Sequence, residues 1–130
     1  MAIRIVRLGE PRAQGEGLRI GTVRRPPRGV PKEEFGSRDY YDVWLPNLAP
    51  SADLMTAGRT ARTDAEWAAF ERGYRKEMAQ PDASHVIDTL AALSHSADFA
   101  VGCYCEHENH CHRGILRTLL AARGAIIHKD

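Results

Sequence analysis

The side chains best suited to chemistry in this sequence are gathered in one short stretch. Residues 103–113 hold all three cysteines and three of the six histidines of the chain. Thiolate and imidazole groups are the ligands that zinc and iron favour. The stretch therefore predicts one mononuclear iron or zinc site. Its candidate ligands are Cys103, Cys105, His107, His110, Cys111 and His112.

The spacing of these residues predicts how they approach one ion. Cys103 and Cys105 are two apart on a predicted strand, so their side chains can share one side of it. Cys111 and His112 begin the next predicted helix and can fold back over the strand end. The spacing is not that of a zinc finger, which needs two separated ligand pairs. Such a tight cluster often leaves a coordination position free, and at iron that position would bind a small molecule such as nitric oxide.

Two other interpretations of the same stretch remain open. A cysteine at a helix N-terminus beside His112 and Arg113 suits nucleophilic or anion chemistry, with Arg24 and Arg28 holding a phosphate. The spacing between Cys105 and Arg113 does not fit the cysteine phosphatases, and no specific reaction is indicated. Alternatively, the cysteines are small buried core residues of an interaction module that binds no metal.

Arg113 follows directly after the cluster. Its guanidinium stays protonated and cannot ligate a metal. We predict instead that it holds a cysteine sulfur, a carboxylate or a bound anion by charge-assisted hydrogen bonds.

The bulk properties describe one ordinary domain over residues 1–130. Apolar residues make up 43% and charged residues 27% of the 130 residues, as in soluble globular proteins. No apolar run is long enough to span a membrane and no signal peptide begins the chain, so we expect a cytoplasmic protein. The odd number of cysteines favours free or metal-bound thiols over structural disulfides.

Charge is unevenly distributed along the chain. Residues 1–38 carry nine basic and four acidic residues, whereas residues 39–130 carry nine basic and thirteen acidic ones. The basic first third is a candidate surface for an anionic ligand. It lacks interleaved aromatic residues for base stacking, and its arginines have acidic neighbours in sequence, so we expect only weak, non-specific binding to nucleic acid.

Hydrophobic periodicity predicts the elements that position the cluster. Alternating apolar residues indicate strands at 3–8, 18–22, 41–45, 99–103 and 125–128. Helical spacing indicates helices at 51–57, 63–80, 83–93 and 113–123, the second of them opened by a Thr63–Glu66 capping box. Strand, helix and strand over 99–128 form one crossover unit. The pattern predicts a single compact α/β domain with a mostly parallel central sheet flanked by helices.

Three segments together resemble the YeaO-like family of bacterial proteins, a domain of unknown function with the number 488. The first segment is Gly17 to Arg24 with Pro27-Arg28-Gly29. The second is Trp44 with Ala49-Pro50-Ser51, followed by the spacing of Trp67, Phe70 and Tyr74. The third is Cys103 and Cys105 followed by Cys111-His112-Arg113. Val23 and Pro26 stand where the family usually has an acidic residue and a tryptophan. The resemblance implies an α/β fold and leaves the activity open.

Overall fold

The computed structural model describes residues 1–129 of the chain. Its four strands are β1 (Ile3–Arg7), β2 (Leu18–Gly21), β3 (Val43–Trp44) and β4 (Phe99–Cys103). Its four α-helices are α1 (Ala52–Thr60), α2 (Asp64–Met78), α3 (Pro81–Leu93) and α4 (His112–Ala122). Short 3-10 turns lie at Lys32–Glu34, Pro46–Leu48 and Glu108–His110. The predicted α/β fold is confirmed.

The four strands form one sheet in the order β1-β4-β2-β3, and every pairing is parallel. The last strand, β4, is inserted between the first two, so it has hydrogen-bonded neighbours on both sides. All five of its residues are buried. This explains why the sequence Phe-Ala-Val-Gly-Cys is apolar throughout rather than alternating. The carboxyl end of β4, where Cys103 lies, is therefore at the centre of the sheet edge.

The main hydrophobic core lies between the sheet and the helices. Alternate residues of the strands, such as Ile3, Ile5 and Val101, contribute one side of it, since side chains two apart share a face. Helices α2, α3 and α4 contribute the other side through their apolar stripes. A second, smaller cluster of buried residues includes both Cys103 and Cys111.

Local signals in the sequence set the helix boundaries. Ser51 caps α1 by accepting a hydrogen bond from the Leu54 N–H, and Thr63 caps α2 by accepting one from the Glu66 N–H at 3.1 Å. The Glu66 carboxylate accepts from the N–H of Arg62, one residue before the cap, which gives a shifted form of the predicted capping box. Helix α2 ends at Met78, shortly before Pro81 begins α3.

Two predicted strands differ from the structure. The strand expected at 125–128 is a single bridge between Ile127 and Ile3, because only two hydrogen bonds join this segment to β1. The strand expected at 41–45 is only Val43–Trp44, because Tyr41 turns inward against Gly21 and is buried. No helix within residues 1–129 combines the length and apolarity needed to cross a membrane.

Candidate metal centre

The candidate site lies at the carboxyl ends of β4 and β2, where ligands bind in parallel α/β sheets. Cys103 is the last residue of β4, and Thr22 follows directly after β2. The chain leaves β4 through a loop and a 3-10 turn, then begins α4 at His112 with Cys111 as the residue before its first turn. This return brings two residues eight apart in sequence, Cys103 and Cys111, face to face.

Three side chains converge at this point. One ligand atom from each of Cys103, Cys111 and His112 lies within 4.8 Å of the other two. The three residues are 1%, 3% and 5% exposed, so little of their surface is in contact with bulk water. Two sulfur atoms and one imidazole nitrogen form a donor set suited to zinc or iron.

The orientation of His112 follows from its hydrogen bonds. Its Nε2 lies 2.7 Å from the backbone oxygen of Thr22, which can only accept, so Nε2 carries the proton. Burial lowers the pKa of His112 to about 4, against the smaller opposing effect of the Thr22 carbonyl. The imidazole is therefore neutral at pH 7, and Nδ1 keeps its lone pair. That atom faces the Cys111 Sγ at 3.8 Å.

The two sulfur atoms, Cys103 Sγ and Cys111 Sγ, are in disulfide contact. Their Cα atoms are 7.9 Å apart, whereas a disulfide usually spans about 4.4–6.8 Å between Cα atoms. The Cα separation of this pair is therefore wider than that of most disulfides.

Arg113 is buried beside the sulfur pair and is 5% exposed. Its Nη1 donates to the Cys105 carbonyl at 2.6 Å and lies 3.4 Å from both the carbonyl oxygen and the Sγ of Cys103. The contact with a cysteine sulfur that the sequence predicted is thus present. Burial lowers the pKa of the Arg113 guanidinium, and its Nε is buried without a hydrogen-bond partner.

The other predicted ligands lie outside the three-residue group. The side chains of Cys105, His107 and His110 are exposed on the loop between β4 and α4. The ring of His110 packs edge-on against Trp67, with centroids 5.3 Å apart. Cys105 does not share a face with Cys103, because β4 ends at Cys103 and the period-two alternation ends with it.

A cavity of about 370 Å³ opens beside the sulfur pair. Cys111 contributes to its wall, whereas Cys103 does not. The remaining lining residues come from α2, from the 3-10 turn and from α4: Trp67, Glu71, Arg75, Glu108, Asn109, Gly114, Ile115 and Thr118. Trp67 packs against the hydrophobic core and also borders this cavity, because α2 lies beside α4.

The loop that forms the cavity wall packs tightly on α4. The Glu108 carboxylate accepts hydrogen bonds from the Arg117 guanidinium, one of them at 2.9 Å. A Cβ atom at Gly114 would lie 2.6 Å from the Glu108 carbonyl oxygen, so only glycine permits this approach. The two contacts fix the loop against the first turns of the helix that carries Cys111 and His112.

Of the arginines in the N-terminal third, Arg7 reaches the loop after β4, where its Nε donates to the Tyr104 carbonyl at 3.1 Å. Arg24 donates from Nε to the Pro50 carbonyl at 3.0 Å and from Nη2 to the Ala49 carbonyl at 3.3 Å, while Arg28 is exposed. Arg19 is 1% exposed and forms a two-pronged ion pair with buried Glu16 at 2.8 and 3.0 Å. No local sequence pattern predicts that Arg19 is an internal residue.

The fold and the buried Cys/His group define an α/β protein with a candidate metal centre at the carboxyl edge of a parallel sheet. Residues 3–124 match the model of DUF488-N3a, described as the active DUF488-N3 subclade. The chain therefore belongs to the DUF488 family, as its resemblance to the YeaO-like proteins implied. No curated protein and no solved structure matches it.

Proposed function

We propose that this protein holds one mononuclear zinc or ferrous ion through Cys103 Sγ, Cys111 Sγ and His112 Nδ1. The observation that carries the proposal is the orientation of His112. Metal-bound histidines usually donate their second ring N–H to a carbonyl or carboxylate, which fixes the ligating nitrogen. Here the Thr22 carbonyl accepts a hydrogen bond from Nε2–H and leaves Nδ1 directed at the Cys111 sulfur.

One distance fits this donor set, and the two sulfurs, which are in disulfide contact, must separate to bind an ion. With metal–sulfur bonds of about 2.3 Å and metal–nitrogen bonds of about 2.0 Å, tetrahedral geometry places a sulfur and a nitrogen roughly 3.5 Å apart. The separation of Cys111 Sγ and His112 Nδ1 is 3.8 Å. The 7.9 Å between the Cα atoms of Cys103 and Cys111 also suits two thiolates on one ion better than a permanent disulfide.

Three protein ligands leave the fourth position of a tetrahedral ion free, as in catalytic rather than structural zinc sites. The cavity that borders Cys111 gives a small molecule access to that position. With zinc the centre is redox-silent and holds water or an anion there. With ferrous iron it binds nitric oxide, which suits a role in sensing or redox chemistry.

Metal analysis tests the proposal directly. Protein purified without chelator, or reconstituted anaerobically with reductant, should contain close to one zinc or iron per chain. Cobalt(II) substitution should add the near-ultraviolet absorption of a cobalt–thiolate bond, and the ferrous form should give a nitrosyl adduct visible by electron paramagnetic resonance. Absence of stoichiometric metal in both preparations contradicts the proposal.

Single substitutions identify the ligands. Cys103→Ser, Cys111→Ser and His112→Gln should each weaken metal binding severely, since neither a hydroxyl nor an amide replaces a thiolate or imidazole at a soft ion. Cys105→Ser is the matched control, because it makes the same change at an exposed cysteine outside the group. Equal loss in Cys105→Ser and Cys111→Ser would reassign the sulfur ligands.

A further inference from the structure

The two sulfur atoms of the candidate centre differ in their surroundings. Cys111 borders the cavity between α2 and α4, so a small molecule that enters the cavity comes into contact with this cysteine. Cys103 does not line the cavity and is 1% exposed. In thiol–disulfide exchange, access decides which of two sulfurs is attacked. The cavity therefore favours attack on Cys111.

The inner sulfur has a cation beside it. Arg113 Nη1 lies 3.4 Å from Cys103 Sγ and is held there by its 2.6 Å hydrogen bond to the Cys105 carbonyl. A guanidinium that donates to a departing thiolate stabilises its negative charge and makes it a better leaving group. Access and charge thus point to the same direction of reaction, with attack on Cys111 and release of Cys103.

We propose that Cys103 and Cys111 also form a redox couple, whose disulfide is opened from the cavity by a small thiol. The thiolate bonds to Cys111 Sγ, the protein S–S bond breaks, and its electron pair leaves on Cys103, beside Arg113. A second thiolate then attacks the small thiol's sulfur in this mixed disulfide, and Cys111 leaves as a thiolate. Two small thiols become one small disulfide, and the protein gains two electrons and the two thiol protons.

This reaction and metal binding use the same sulfur atoms. If the metal site of the preceding section is correct, the oxidised chain cannot hold the ion and the reduced chain can. Reduction by a small thiol then restores metal binding. That coupling rests on the proposed function. The direction of attack on the disulfide does not, because it depends only on the cavity and on Arg113.

Trapping the mixed disulfide tests the direction. The Cys105→Ser protein, which retains only the proposed pair, is oxidised with diamide, exposed briefly to 2-mercaptoethanol, quenched with acid and alkylated. Cleavage after Glu106 and Glu108 separates Cys111 from Cys103 for mass spectrometry. We expect mercaptoethanol on Cys111 and the alkyl group on Cys103. Mercaptoethanol on Cys103, an equal distribution, or failure of the folded protein to form the disulfide overturns the proposal.

A pair of arginine variants tests whether Arg113 stabilises the departing Cys103 thiolate. Arg113→Gln should slow formation of the mixed disulfide about tenfold, the lower end of what a hydrogen bond to a charged group contributes. Arg123→Gln is the control on the same segment, because Arg123 donates to Ser84 and not to the sulfurs. An unchanged rate in Arg113→Gln removes Arg113 from the reaction. If Arg113→Gln does not fold, the position of mercaptoethanol in the parent protein still decides the proposal.

Metal content distinguishes the proposed metal site from the proposed redox couple. Loss of metal on oxidation and its recovery with 2-mercaptoethanol supports the coupling. A reduced protein that takes up no metal contradicts the proposed function, while attack on Cys111 in the same protein still upholds the redox couple.

Discussion

The buried ion pair between Arg19 and Glu16 connects loops of the chain to β2, and its removal should be costly. Glu16 accepts two hydrogen bonds from Arg19 and one from the Ala13 N–H. Arg19 also donates to the carbonyls of Glu10 and Asp39 at 2.8 and 2.6 Å. The guanidinium therefore ties the loops before and after β2 to this strand, and the Arg19 and Glu16 side chains are only 1% and 2% exposed.

Glu16→Gln keeps the shape of the side chain but removes its charge and one acceptor oxygen. Breaking a buried pair from one side costs about 3–5 kcal/mol, because the remaining charge stays buried without a counterion. Two carbonyls still solvate Arg19, so we expect a loss of about 3 kcal/mol in the free energy of unfolding. The control is Glu10→Gln, whose carboxylate is 60% exposed and lies 3.8 Å from Arg7. It should cost under about 0.5 kcal/mol.

Urea denaturation followed by circular dichroism measures both variants, with unchanged m-values as evidence that the unfolded states are comparable. A loss below about 1 kcal/mol in Glu16→Gln, or an equal loss in Glu10→Gln, would refute the reasoning that the pair is structurally required. The double variant Glu16→Gln with Arg19→Met should recover part of the stability, since it removes the unpaired cation.

The same pair predicts how stability depends on pH. Burial alone would raise the pKa of Glu16, but the hydrogen bonds from Arg19 and Ala13 and the Arg19 charge outweigh it and lower the pKa below its ordinary value of 4.5. A carboxylate with a lowered pKa in the folded state adds stability above its unfolded pKa and loses it as the pH falls through the folded value. The difference between the parent protein and Glu16→Gln should therefore shrink below pH 4.5.

Further predictions concern the centre and the surface. Cys111→Ser should reduce metal content far more than His95→Ala, because His95 lies outside the cluster and contacts the Gly124 carbonyl; equal metal content in elemental analysis would remove Cys111 from the ligand set. Gly114→Ala should lower the free energy of unfolding by about 1–3 kcal/mol, since its Cβ would meet a backbone oxygen at 2.6 Å; an unchanged urea midpoint would show that the loop adapts. Binding to DNA or RNA should be weak and fall steeply with salt in fluorescence anisotropy, whereas submicromolar, sequence-selective binding at physiological salt would contradict this.

Much of the fold could be predicted because its signals are local. The Ser51 and Thr63 caps, the stripe of α2 and the apolar run at Phe99 each depend on nearby residues. The insertion of β4 between β1 and β2 could not be predicted, because the order of parallel strands is set by long-range packing. The two-residue length of β3 depends in the same way on Tyr41 packing against Gly21.

The position of the candidate site could be predicted from the sequence, but the residues that converge there could not. Local spacing located the cluster at the end of β4, and Arg113 contacts a cysteine sulfur as expected. Which donors converge depends on where β4 ends and where α4 begins, and these boundaries leave Cys105 on the surface. Thr22 carries no sequence signal for its role, because it acts through a backbone carbonyl that every residue has.

The two edges of the sheet leave little unpaired backbone for another strand to join. The β1 edge is covered by the chain near Ile127, where Ile3 exchanges hydrogen bonds with the segment through its N–H and carbonyl. The β3 edge is two residues long, and Pro46 follows shortly after it. An uncovered parallel edge is a template for aggregation, and native proteins shorten or cover such edges. A chain cut after Gly124 would leave the backbone N–H and carbonyl of Ile3 without these partners, so residues 126–128 cover this edge as well as extending the sheet.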